Sequence, residues 1–182
     1  MQPNTARSAQ KQTTKKKPVN MLFNALAIGL AVLVAAAGLL LAAGQAGLFR
    51  GKPPTLLGVK GWRLPPPHVT RNNVHSQAAI WGAQYDHTTI EPLPAQADGA
   101  QTMQRLRSLV EATPGAQVMK AGSDYLYVQY TTKWLRFVDD AEFWFDPVAQ
   151  RIQVRSASRL GEGDLGVNRA RIEALRQRLA NP

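Results

Sequence analysis

The stretch YLYVQYTTKWLRFVDDAEFWFDPVAQRIQVRS, residues 125–156, decides the fold. Three runs rich in aromatic and β-branched residues, Tyr125 to Thr131, Leu135 to Phe145 and Arg151 to Ser156, alternate apolar with polar positions. Only Thr132-Lys133 and Asp146-Pro147 break them, so they are strands joined by hairpins. A fourth run, Gln117 to Ala121, precedes them across Gly122-Ser123. Connections this short imply an antiparallel meander. Tight turns at 131–134 and 146–149 set Tyr130 against Leu135, Val128 against Phe137, Leu126 against Asp139, Phe143 against Ile152 and Ala141 against Val154. Both hairpins then gather Leu126, Val128, Tyr130, Leu135, Phe137, Ala141, Phe143, Phe145, Ile152 and Val154 on one face, with Asp139 the charged exception.

Outward from the meander, Asp98-Gly99-Ala100-Gln101 is a capping box. It opens a helix over 98–113 with Met103, Leu106, Leu109 and Val110 on one face, and Pro114-Gly115 stops it. A second helix, 168–180, carries the stripe Ile172, Leu175 and Leu179. Arg169 and Arg176 border the stripe on one side and Arg171 and Arg178 on the other, where their stems cover its apolar edges. The expected fold class is therefore α+β: an antiparallel β-meander packed with helices, preceded by one N-terminal transmembrane helix.

That first helix follows from the charge pattern. From Pro18 to Phe49 there is no charged residue, and Leu22 to Leu41 is apolar except for Asn24. Twenty residues make about 30 Å of helix, the thickness of a hydrocarbon core. A signal-peptide core runs only about 7–15 residues, so a retained anchor is expected rather than a cleaved leader. Lys15, Lys16 and Lys17 at its edge orient the N-terminus inside and the domain periplasmic or extracellular, from the cytoplasmic membrane. The expected organisation is a basic cytoplasmic tail over 1–20, the membrane helix over 21–47, a Pro/Gly-rich spacer over 48–67 and a soluble domain over 68–182.

The net charge of +10 divides unevenly: residues 1–50 hold six basic groups and no acid, while the remainder holds 16 basic and 12 acidic groups. The excess is a tail that serves topology, and no nucleic-acid partner is expected. With no cysteine in the chain, disulfides, thiolate nucleophiles and thiolate zinc sites are excluded.

Polar residues concentrate late in the chain. Asp139, Asp140 and Glu142 lie on the third strand, Arg155, Ser156, Ser158 and Arg159 on and after the fourth, and Asp164, Asn168 and Arg169 lead from a glycine-interrupted loop into the last helix. The blocks FVDDAEF (137–143), RSASRLG (155–161) and DLGVNR (164–169), with LGV (57–59), NNV (72–74) and SQA (76–78) upstream, resemble the uncharacterised domain-of-unknown-function family fourteen-ninety-nine. The resemblance covers roughly residues 50–180. It implies a small domain, often membrane-anchored or exported, and carries no activity with it.

An ionised carboxylate on a packed face needs a partner, and Arg159 is the expected one for Asp139. Two readings stay open. In one, Asp139–Arg159 and Asp140–Arg155 lock the fold and Asn168 caps the helix. In the other, the cluster with the backbone amides of the loop binds an anion. The favoured function is a non-enzymatic binding or interaction module for a protein or an anionic ligand. The alternative is an extracytoplasmic hydrolase-like enzyme with Asp139 as acid or base, assisted by His75, Ser76 or a cation. No cofactor and no metal are expected. His68, His75 and His87 lack ligand spacing, Asp139 alternates away from Asp140 and Glu142, and no phosphate-binding glycine fingerprint follows a strand. Tyr125, Tyr127 and Trp144 share the second face of the sheet, where residues 70–95 are expected to cover them.

Overall fold

The computed structural model describes residues 18–96 and 98–181; the greater part of the basic tail lies outside them. The chain divides into two compact units, residues 1–39 and residues 40–182. Helix α1, Pro18–Gln45, is 28 residues long, and its segment Met21–Gln45 is long and apolar enough to cross a membrane.

The second unit is built on one antiparallel sheet of six strands. These are β1 (Asn73–His75), β2 (Leu93–Pro94), β3 (Ala116–Ala121), β4 (Tyr125–Thr131), β5 (Val138–Asp146) and β6 (Arg151–Ser158). The order is β1-β6-β5-β4-β3, and β2 also pairs with β6, so β1 and β2 follow each other along one edge of β6. Two short 3-10 helices, Ala78–Trp81 and Ala83–Thr88, join β1 to β2. Helices α2 (Gly99–Glu111) and α3 (Val167–Ala180) pack on one face. The α+β meander expected from the sequence is the observed fold, and Asp98 caps α2 by accepting from the Gln101 amide at 3.1 Å.

Both hairpin registers differ from the expected ones. Tyr130 pairs with Asp139, Val128 with Ala141 and Leu126 with Phe143, four residues along β5. Phe143 pairs with Val154 rather than Ile152, and Ala141 with Ser156 rather than Val154. The reason is loop length. The β4–β5 connection takes residues 132–137, closed by Thr132 Oγ1 accepting from the Phe137 amide, with Arg136 at φ 60°. The β5–β6 turn takes residues 147–150, held by Asp146 Oδ1 accepting from the amides of Val148 and Ala149. Both displacements are even, and since side chains alternate with a period of two, the faces survive. Leu135 and Phe137 alone leave the expected core, because they fall in the loop; Phe137 is exposed.

The face toward the helices holds the main core, where Leu126, Val128, Ala141, Phe143, Ile152 and Val154 meet Met103, Leu106, Val110, Ile172, Leu175 and Leu179. On the other face Tyr125, Tyr127 and Trp144 are buried under Leu57, Val59 and Leu64. The cover therefore comes from residues 57–64 rather than 70–95. Gly58 and Gly61 within this stretch, and the prolines at 53–54 and 65–67 that flank it, keep it out of helix, so it can lie flat as a strap, with the Gly58 amide donating to Glu142 Oε1 at 2.7 Å.

Gly115, between α2 and β3, has φ 80°, and a β-carbon there would sit 2.5 Å from the Thr131 carbonyl oxygen. Gly115→Ala is expected to cost about 1–2 kcal/mol from the left-handed backbone alone. Thermal unfolding measures this; an unchanged melting temperature would mean the turn relaxes freely.

Candidate functional site

The pleat distributes the ten candidate residues over two faces. Asp139, Ser156, Ser158, Asp164 and Asn168 lie on the helix side, whereas Asp140, Glu142, Arg155 and Arg159 lie under the strap. Arg169 joins neither group; its guanidinium donates to the Thr89 carbonyl at 2.8 Å. The single cluster expected from the sequence is two networks with the sheet between them.

The strap-side network pairs each acid with an arginine. Glu142 accepts from Tyr125 Oη at 2.7 Å and from Arg155 Nη1 at 3.1 Å, in addition to the Gly58 amide. Arg155 also meets His68 Nε2 at 3.2 Å and the Pro66 carbonyl at 3.3 Å. Asp140 accepts from Arg159 Nε at 2.7 Å and Nη2 at 2.8 Å, a bidentate pair, and from Tyr127 Oη at 2.6 Å. Asp140 is thus the partner of Arg159, and Glu142 of Arg155. The expected Asp139–Arg159 and Asp140–Arg155 pairs fail because the residue opposite Asp139 is Ser158 and the one opposite Asp140 is Ala157. Burial first, and then the adjacent carboxylate, raise the phenol pKa of both Tyr125 and Tyr127, which keeps them hydrogen-bond donors. Burial, reinforced by Arg155, lowers the pKa of His68.

His75 is fully buried, with Nε2 2.9 Å from the Pro65 carbonyl and Nδ1 accepting from the Gln77 amide at 2.9 Å. These contacts fix the neutral Nε2–H tautomer. Burial is the main cause that pushes its pKa down to about 4; the Pro65 carbonyl opposes this and Arg155 adds to it. Ser76 Oγ is engaged elsewhere, donating to Gln153 at 2.7 Å and accepting from the Val154 amide at 2.8 Å. The pair needed for a nucleophile and its base does not form.

On the helix side, Arg171 Nη2 donates to Asp139 at 2.6 Å and Nη1 to Asn168 Oδ1 at 2.7 Å. Asn168 Oδ1 also accepts from Ser156 Oγ at 2.5 Å, and Nδ2 donates to Ser158 Oγ, Asp164 Oδ2 and the Asn72 carbonyl at 2.8–3.1 Å. Asn168 is not the helix cap. Gly166 stands at the N-cap, and Asp164 ahead of it accepts from the Asn168 amide at 2.8 Å and the Gly166 amide at 3.0 Å. Burial pushes the Asp164 carboxyl up, and these donors outweigh it, leaving its pKa below the usual carboxylate range.

The Asp139–Arg171 pair has an opening on either side. Arg171 lines a groove of about 560 Å³ with Tyr130, Lys133, Arg136 and the turn 113–115, and no carboxylate lines it. Asp139 lines a cavity of about 320 Å³ with Phe137, Leu160, Leu165 and Val167. Thr132 borders both. The Arg171 guanidinium lies 4.2 Å over the Tyr130 ring. Tyr130 is 5% exposed, and its hydroxyl is buried without a hydrogen-bond partner. Burial, only partly opposed by Arg171, raises the Tyr130 pKa to about 12. This hydroxyl therefore stays neutral.

A six-stranded antiparallel sheet with helices on one face, a strap on the other and a basic groove at one end defines a small α+β domain that follows an apolar helix. The chain belongs to DUF1499, a family of proteins of unknown function, whose model matches residues 63–179. No curated protein and no solved structure matches it.

Four residues that build these networks escaped the sequence reading in these roles. Arg171 stood out only as a border of the α3 stripe, one turn beyond Asn168, which was the available signal. Tyr125 and Tyr127 are expected from the sequence only as a covered face of the sheet, not as hydroxyl donors to Glu142 and Asp140. Asn72 gave no sign of reaching Ser158 and Gly161, since that contact depends on β1 joining the edge of β6.

Proposed function

We propose that the protein is a membrane-anchored, non-enzymatic binding module. Helix α1 stays in the cytoplasmic membrane as a single pass with its N-terminus inside, and the periplasmic or extracellular domain receives an anionic group in the groove over Tyr130 and Arg171. The observation that carries this is a groove lined by Tyr130, Lys133, Arg136 and Arg171, beneath which the buried Tyr130 hydroxyl has no hydrogen-bond partner. A buried donor left unmade costs about 1–3 kcal/mol, which a ligand acceptor restores. Asp139 then acts as a positioning residue that holds the guanidinium. The full engagement of His75 and Ser76 supports binding over hydrolysis, and Lys15 to Lys17 support the orientation.

Tyr130→Phe separates this from a purely structural role. Deleting an unpaired buried hydroxyl is expected to leave the melting temperature unchanged or raised, while affinity for inorganic phosphate falls about tenfold in the full chain in mild detergent. Calorimetric titration reads the second quantity. Absence of saturable phosphate binding, or equal affinity in the variant, would remove the groove from consideration.

A further inference from the structure

The basic groove opens on a rim of the domain that carries the end of the apolar helix. Gln45 Nε2, in the last turn of α1, donates to the carbonyl oxygens of Trp134 at 2.8 Å and Lys133 at 3.3 Å, both in the β4–β5 loop. A β-carbon on Gly44 would come 2.7 Å from the Leu135 carbonyl oxygen, so glycine permits the approach. Phe49 stacks on Phe137 with ring centroids 5.3 Å apart. Arg50 is the first charge after the apolar run. The β4–β5 loop therefore stands where that run ends.

The surface there has the composition of a membrane interface. Among the described residues, twelve large apolar side chains are exposed beyond residue 47, and six of them belong to this rim: Leu48, Trp134, Phe137, Leu160, Leu165 and Val167. Leu165 is wholly exposed although its backbone holds φ 54°, a conformation that L side chains avoid. Trp134 is 64% exposed, with the Lys133 ammonium 5.0 Å from its ring centroid. Tryptophan with lysine and arginine beside it collects at headgroup depth, where the ring is half in hydrocarbon and the cations meet phosphates.

The two openings beside Asp139 and Arg171 then acquire matching parts. The groove presents Lys133, Arg136 and Arg171, and the adjoining cavity presents Phe137, Leu160 and Leu165, with Thr132 between them. A cationic recess that adjoins an apolar one, on a surface level with the end of the span, fits a molecule with a phosphate at one end and hydrocarbon at the other.

We infer that this rim lies against the membrane holding α1 and that the groove takes the phosphate of an anionic phospholipid, with the start of an acyl chain in the apolar cavity. The inference rests on the readings of α1 as a retained anchor and of the groove as an anion site. The first test is the full chain in phosphatidylcholine vesicles containing one-fifth phosphatidylglycerol and a nitroxide lipid labelled near the headgroup. Quenching of tryptophan emission is expected, and Trp134→Phe is expected to lose most of it. The second is titration of the chain in neutral detergent with short-chain phosphatidylglycerol, phosphatidylcholine of the same chains, and inorganic phosphate. Phosphatidylglycerol is expected to bind about tenfold more tightly than either, and Lys133→Gln with Arg136→Gln to lose that margin. If phosphate binds as well as the lipid, the anion site stands and the lipid is overturned. If Trp134 is unquenched in a chain that resists carbonate extraction, the anchor stands and the apposed rim is overturned. Release of the chain by carbonate sinks the anchor, and this inference with it.

Discussion

Replacing Glu142 by alanine is expected to destabilise the domain by about 3–5 kcal/mol, a large part of the roughly 5–15 kcal/mol that a domain of this size has. Glu142 is fully buried and is the acceptor for Arg155, the Tyr125 hydroxyl and the Gly58 amide. Its loss strands a cation that is 5% exposed, together with two neutral donors, where water cannot reach them. Denaturant unfolding of the full chain in mild detergent measures the change. A second variant tests the cause: pairing Glu142→Leu with Arg155→Met removes both charges, and the greater part of the loss is expected to return. A single-variant loss under about 1 kcal/mol would show that Arg155 finds another partner or water, and that the strap does not seal the pair.

The second large effect is on pH dependence, through His75. Its folded pKa of about 4 lies well below the ordinary 6.5, with burial as the main cause. Between those values the unfolded chain holds a proton that the folded chain lacks. The stability carried by the neutral ring is thus complete above about pH 6.5 and is lost as pH falls toward 4, by on the order of 3 kcal/mol. Carboxylates titrate over part of the same range, so the quantity to compare is the pH slope of the wild type against His75→Gln. The variant is expected to be less stable at neutral pH and to lose less on acidification. Equal slopes would place the imidazole within reach of solvent. On acidification the domain is expected to loosen first at the contact of β1 with the strap, because the ring nitrogen bonds the Pro65 carbonyl.

Most of this fold was legible because alternation is a parity argument. Expecting Phe143 opposite Ile152 was off by two residues and expecting Val128 opposite Phe137 was off by four, yet every side chain within the strands kept its face, since only an odd slip exchanges them. Ion-pair partners depend on absolute register and were therefore misread: Arg159, expected to pair with Asp139, meets Asp140, and Arg155, expected to pair with Asp140, meets Glu142. Asp139 was rightly seen as a charge on the apolar face needing a cation, but the cation came from α3, whose docking angle no pattern in residues 168–180 encodes. The strap was the least legible part. Residues 57–67 have the proline and glycine content of a linker, and nothing local shows that Leu64 is fully buried.

The pairing of β1 and β2 with β6 has a consequence for the order of events during synthesis. Asn73 meets Ala157 and Leu93 meets Ile152, so segments that leave the ribosome early have no place to bind until residues 151–158 have followed. The strap waits as well, since its partners Glu142 and Arg155 follow it on β5 and β6. The first half of the domain therefore emerges as an unfolded thread attached to an apolar helix, and the last third supplies the template that closes it. A truncation before residue 151 is therefore expected to cost the domain the pairing of β1 and β2 as well as its last helix.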